Sequence, residues 1–424
     1  MKKINSKRKI FWLCIACSAI LFCVISFFSF NAKSSKNSGA PIELCGTKYS
    51  IHDDSVTCFN GTAEDFEKLT LFKRLREVWF YSSLPHSAVV FKKMRYLESL
   101  YVNKLNDVSV LKGLPRLSYL KIKLSENSDE QMKELLQIKT LRSLNVSNYS
   151  EKNCTINFRK SRIRYLGISD SNCEILNFEG KMHALREIGM GETKTRKING
   201  LSAAKYLRRI SIGDTQLENL DFVRGLRKLK QLEVFHSKLN NIDAIENTRS
   251  LRLLMVPGNP IVHLPVMTFL KNLVVFSIRG TKIEDLSRLS EAKNIKLLAI
   301  EHIPAKDFSV LSKLKRLLDL KASCTSIAPK DLEKINKGIK TLSLYGINFS
   351  ETDFLFRLKK LEYLMLSSSR ENRKLVKKME NTKIKIHLGG YPGSNSDSNS
   401  CCKKNLRYDG ANSIGYTSIL RRGN

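Results

Sequence analysis

The chain has 424 residues, with 73 Lys and Arg against 40 Asp and Glu, for a formal net charge of +33. That length would serve several ordinary domains, and that charge favours acidic surroundings or partners without naming one. The seven histidines form no H-x-x-x-H or H-E-x-x-H pair, no Ser or Cys stands in a nucleophile-elbow context, and no glycine-rich phosphate loop is present, so neither an enzyme nor a cofactor, metal or small-molecule site is expected.

In chain order, residues 1–10 hold five Lys and Arg, and residues 10–30 run for 21 residues without a charge. A secretory apolar region is usually about 7–15 residues long, whereas a membrane span needs about 20. The stretch therefore reads as an uncleaved signal anchor, with a cleaved signal peptide and secretion as the alternative. Residues 1–9 would be cytoplasmic and the rest of the chain outside. Residues 31–40 read as a polar linker, and residues 41–74 as an N-terminal cap. Cys45 and Cys58 lie within this cap, where a disulfide is plausible in an exported protein.

From Leu75 to residue 388 the chain repeats. Units begin at Leu75, Leu97 and Leu117, and then at Leu141 and every 22 residues to Leu361, ten steps without slippage. A fixed period of this size means a stacked repeat rather than independent domains. Within a unit, positions 1, 4 and 6 are apolar and 5 and 7 mostly polar, the alternation of a strand with one buried face. Positions 11, 14, 17 and 20 step by three, which suits a tight turn or short helix on the opposite side. Position 15 is usually Ser, Thr, Asn or Asp, as at Thr155, Asn177, Asn199, Asp221 and Asp243. It reads as the N-cap of that helix. Cys154 and Cys173 fall at positions 14 and 11 and read as replacements for buried hydrophobes.

This spacing resembles the leucine-rich-repeat family, L-x-x-L-x-L-x-x-N-x-L, and its length is similar to bacterial internalin-type repeats. The resemblance covers residues 53–388. It implies an α/β solenoid, a curved horseshoe with a parallel sheet on the concave face and short 3₁₀ or α helices on the convex face. It also implies non-catalytic binding, with the concave face as the default partner surface. The family's Asn at position 9 survives here as Asn259, while Thr193, Thr215, Ser237, Thr281 and Thr325 replace it elsewhere.

The repeat frame yields two candidate surfaces. Positions 3, 5 and 7 should face the concavity, where Trp79, Tyr81, Tyr101, Tyr119, Phe235, Leu253, Met255, Val275 and Leu297 suggest a protein partner. Position 2 is basic in six units running, at Arg142, Arg164, Arg186, Arg208, Lys230 and Arg252. A file of cations on one edge would suit an anionic polymer, a lipid headgroup or nucleic acid, or it is simply a solvated face. Position 21 is basic from Lys205 to Lys359, which a helix C-terminus explains. Residues 389–424 are rich in Gly, Ser and Asn and read as a disordered tail. Its vicinal Cys401 and Cys402 read as an incidental pair, with anchoring, crosslinking or metal binding as alternatives.

Overall fold

A computed structural model describes residues 40–83, 89–347 and 353–389. The alternating apolar positions form strands, and sixteen of these join in one parallel sheet from Ser55–Cys58 to Lys385–Gly389. Register advances by one repeat per strand: Leu166 pairs with Ile188, Ile188 with Ile210, Ile210 with Leu232, and Leu232 with Leu254. Positions 1, 4 and 6 line a single core that runs the length of the solenoid; Leu229, Leu232 and Val234 are all fully buried. No one unit could bury its own apolar face, so stacking supplies the core.

Each strand ends in the same turn. In ten successive units position 8 adopts a left-handed backbone, from Asn148 (φ 63°) through Asp170, Glu192, Asp214, His236, Gly258, Gly280, His302 and Cys324 to Gly346 (φ 73°). Only three of these ten are glycine, so seven L side chains hold a conformation that costs them energy. Position 9 then turns inward and satisfies the turn. Asn259, almost fully buried, accepts from the Ser237 and Leu239 N–H groups and donates to the Val234, Val256 and Pro257 carbonyls. The hydroxyl substitutes do less of this. Thr281 donates to the Ile278 carbonyl, and Thr215 bonds sideways to Ser237.

The convex side departs from the sequence expectation in two ways. In the units from Leu141 to Leu185 strand takes the place of helix at position 15, and a 3₁₀ turn follows it only in the last of them, at Leu201–Ala203. Strands Asn153–Asn157, Ile175–Glu179 and Lys197–Asn199 form a second parallel sheet, and Thr155, Asn177 and Asn199 lie within it. Cys154, Ile156 and Phe158, then Leu176 and Phe178, alternate with polar residues and are buried; period two won over steps of three. In the later units 3₁₀ helices do form, at Asp221–Val223, Asp243–Asn247, Ser287–Glu291 and Ser309–Lys313. There position 15 opens the helix rather than capping it. Its N–H is taken by the side chain at position 13, from Asn219, Asp285 or Asp307. Those N–H groups, with the serine hydroxyls, hold the Asp285 and Asp307 carboxyls below the usual range.

Both ends of the core are covered. The hairpin Ile42–Leu44/Thr47–Tyr49 and the helix Ala63–Lys68, capped by Thr62 and Asp65, close the first layer. Cys45 and Cys58 are joined there in a disulfide, Cα atoms 5.4 Å apart. At the other end the helix Arg370–Lys378, capped by Ser369, buries Leu375 beside the last strand. Cys154 and Cys173 do occupy core positions, but they are also bonded to one another, a link the sequence reading did not foresee. No helix among the described residues is long and apolar enough to cross a membrane. The signal-anchor reading concerns residues 10–30, outside the described residues; the tail reading concerns residues 389–424, of which only Gly389 is described, and it closes the last strand instead of starting the tail.

Candidate partner-binding face

The concave face carries the side chains at positions 3, 5 and 7, and these fall into three zones. The first spans the opening units. Parallel register sets Trp79 beside Tyr101, and Tyr101 beside Lys121. The Trp79 and Tyr101 rings stack at 5.4 Å, Tyr81 lies 4.5 Å from Tyr101, and Phe59 stacks on Tyr81 at 4.6 Å. The Lys121 ammonium sits 4.7 Å over the Tyr101 ring. Burial pulls the Lys121 amine down and pushes the Tyr81 and Tyr101 hydroxyls up. The indole N–H of Trp79 is held by the Glu77 carboxylate. Phe59 remains 62% exposed, so the aromatic ladder ends in solvent rather than in the core. Phe59 was not a sequence candidate. Its place next to Tyr81 was signalled only by its lying one repeat upstream, just after Cys58. Tyr119 receives a bond from the Asn145 amide at 3.4 Å.

The second zone is polar and floored by glycine. Tyr165 lies across Gly167 and Gly189, so a Cβ at Gly189 would come within 2.8 Å of its hydroxyl oxygen. Burial, with Glu187 nearby, pushes that hydroxyl up to about 12. Arg209 reaches both the Glu187 carboxylate, at 3.6 Å, and the Gln231 side chain. Burial raises the Glu233 carboxyl, and Arg209 partly opposes it.

The third zone is apolar and differs from expectation. Leu253, Met255, Val275 and Leu297 form a cluster with Ala299, separate from the main core. Phe235 lies flat on Gly213 at its edge. These five predicted contact residues are at most 5% exposed, not open to solvent.

The basic file is a physical file. The N–H of each position-2 residue bonds to the carbonyl of the one before, from Arg164 on Arg142 to Arg252 on Lys230, at 2.7–2.8 Å. Its members are not equivalent. Arg142 turns back onto the Lys139, Thr140 and Leu141 carbonyls. Arg186 does the same with His183 and Leu185, and stacks its guanidinium on Tyr206. Arg164, Arg208 and Lys230 are exposed. The described residues hold no group of three or more His, Cys, Asp or Glu placed to bind a metal.

No family model matches the sequence, and no curated protein matches it. Solved structures do. A leucine-rich-repeat protein of Leptospira interrogans aligns over 78% of this chain and 92% of its own, at 18% identity and a TM-score of 0.50. An internalin of Listeria monocytogenes aligns over 72% of this chain and 88% of its own, at 17% identity and a TM-score of 0.47. The functional domain of internalin J from the same organism, described as including a cysteine ladder, covers 74% of each chain at 18% identity and a TM-score of 0.46. The repeat period, the continuous parallel sheet and the similarity to the Leptospira structure agree: by its fold the chain is a leucine-rich-repeat solenoid.

Proposed function

We propose that the chain is an outward-facing, non-catalytic recognition protein that binds a protein partner through the opening units of its concave face, held to the membrane by residues 10–30 or released after their cleavage. One observation carries this reading. The stacked Phe59, Tyr81, Tyr101 and Trp79 rings, with Lys121 above them, present rigid aromatic area at the surface of the sheet. Such side chains contribute most of the energy at protein interfaces and lose little conformational freedom on binding. The test is retention of proteins from cell-surface extracts on immobilised chain, comparing wild type with a Tyr81→Ala/Tyr101→Ala variant. A defined protein held through a high-salt wash by wild type and lost by the variant supports the reading. Equal retention by both sinks it.

A second reading rests on the basic file. Arg164, Arg208 and Lys230 project from one edge at strand spacing and could grip an anionic polymer or lipid headgroups. Arg142 and Arg186 spend their guanidinium groups on their own chain, which favours the first reading.

A further inference from the structure

Within the aromatic zone Lys121 is a charge without a counter-charge. Its ammonium sits 4.7 Å over the Tyr101 ring. Its strand neighbours in register are Tyr101 on one side and Asn145 on the other, and neither is an anion. Burial alone acts on its amine, with no carboxylate close enough to oppose it. The carboxylates at the starts of the neighbouring strands are engaged elsewhere: Glu77 holds the Trp79 indole, and Glu98 pairs with Arg76 at 2.9 Å. At the far end of the same strands, register sets Lys104 beside Lys123, and both are exposed. None of these three lysines takes part in an ion pair among the described residues.

The position of Lys121 decides what can cover the ladder. A ring face attracts an ammonium but replaces its water incompletely. A partner laid over the rings strips the remaining water, and a buried charge left without an anion or acceptor is costly. A purely apolar partner therefore loses affinity at this spot, whereas a carboxylate turns the same burial into a charge-assisted bond. A polymer charged at every unit fits less well, since most of its charges would meet the uncharged Trp79, Tyr81 and Phe59 rings.

On the reading that the aromatic ladder is the contact surface, we infer that its partner presents an acidic residue next to an aromatic or aliphatic one, the carboxylate seated on Lys121 and the apolar side chain on the Tyr81 and Tyr101 rings. Lys104 and Lys123, at the rim, attract the same acidic segment as it approaches and act on the rate of association more than on dwell time.

Display of random linear peptides against the immobilised full chain tests this, with Lys121→Met and Tyr81→Ala/Tyr101→Ala panned in parallel. Methionine keeps an apolar stem on the rings and removes the charge, and matching melting curves check the fold. Wild type should enrich peptides with Asp or Glu beside Trp, Tyr, Phe or Leu. The most enriched peptide, made synthetically, should bind wild type about tenfold more tightly than its Asn/Gln counterpart, as a close interfacial charge pair does. That comparison is made on wild type and stands even if a variant misfolds. The two peptides should bind Lys121→Met within about twofold of each other, because the cycle then has no charge pair to lose. Enriched peptides that lack acidic residues, or an acid preference that survives Lys121→Met, overturn the inference; the aromatic-face reading still stands if those peptides are lost from Tyr81→Ala/Tyr101→Ala. Enrichment that is absent, or unchanged by Tyr81→Ala/Tyr101→Ala, sinks the aromatic-face reading and the inference with it.

Discussion

Asn259 offers the sharpest test of how the turns are held. Its side-chain oxygen is the acceptor for two buried backbone N–H groups, of Ser237 and Leu239, and its amide donates to three carbonyls. Asn259→Ala removes all five bonds and admits no water in their place, since the residue is 1% exposed. A buried donor left unmade costs about 1–3 kcal/mol, so the two N–H groups alone imply a loss of about 2–6 kcal/mol. The orphaned carbonyls keep a second lone pair and add less. Asn259→Thr is the informative companion. Thr281 makes only one such bond in its own turn, to the Ile278 carbonyl, so threonine at 259 should recover a carbonyl bond but not both N–H bonds. Urea unfolding followed by circular dichroism reads both variants. The expected order is wild type, then threonine, then alanine. A loss under about 0.5 kcal/mol for alanine, the size of an ordinary surface substitution, would refute the reasoning.

The same structure sets further expectations. Leu232→Ala, at a fully buried position between Ile210 and Leu254, should cost about 2–5 kcal/mol in the same assay; a shift near zero would place position 4 outside the core. Acid should act in opposite directions at two groups. Burial first, then Arg279, lowers His302 to about 4, so its contribution is complete above about pH 6.5 and is lost as pH falls toward 4. Burial raises Asp319 to about 6, so the folded state holds a proton that the unfolded state releases, and stability rises as pH falls through 6 toward 3.8. His302→Gln should leave only the rise and Asp319→Asn only the fall in melting temperature across that window; identical profiles would contradict both assignments. On an acidic-polymer column, Arg164→Gln/Arg208→Gln/Lys230→Gln should elute earlier than a variant losing Lys271, Lys293 and Lys315 if the basic edge is a site. Equal losses would make the binding bulk charge.

The solenoid was legible because its signals are local and repeated. Positions 1, 4 and 6 are apolar in every unit, and they are the core. What escaped the sequence depends on contacts between units or on competition within one. Position 15 carries cap-type residues, but position 13 makes the bond, because both offer a short polar side chain near the first free N–H. Thr155, Asn177 and Asn199 look the same as Asp221, yet their neighbours alternate and form strands. Cys154 and Cys173 look like buried hydrophobes until stacking sets them in adjacent layers. At the site, the Trp79, Tyr81 and Tyr101 group could be read from strand alternation alone. The near-complete burial of Leu253 and Val275 could not, since alternation says which way a side chain points and nothing about what meets it.

The left-handed turn also has an effect beyond the path of the chain. It fixes a second edge of the sheet, facing the one on which the position-2 cations stand. In three consecutive units that second edge bears Asp170, Glu192 and Asp214, level with Arg164, Arg186 and Arg208. Six residue steps of extended strand separate the two edges, about 20 Å. Across these units the groove is thus electrically lopsided, cationic on one bank and anionic on the other. A segment laid across it parallel to the strands, acidic at one end and basic at the other, has one favoured heading, and reversing it sets like charges together at both banks.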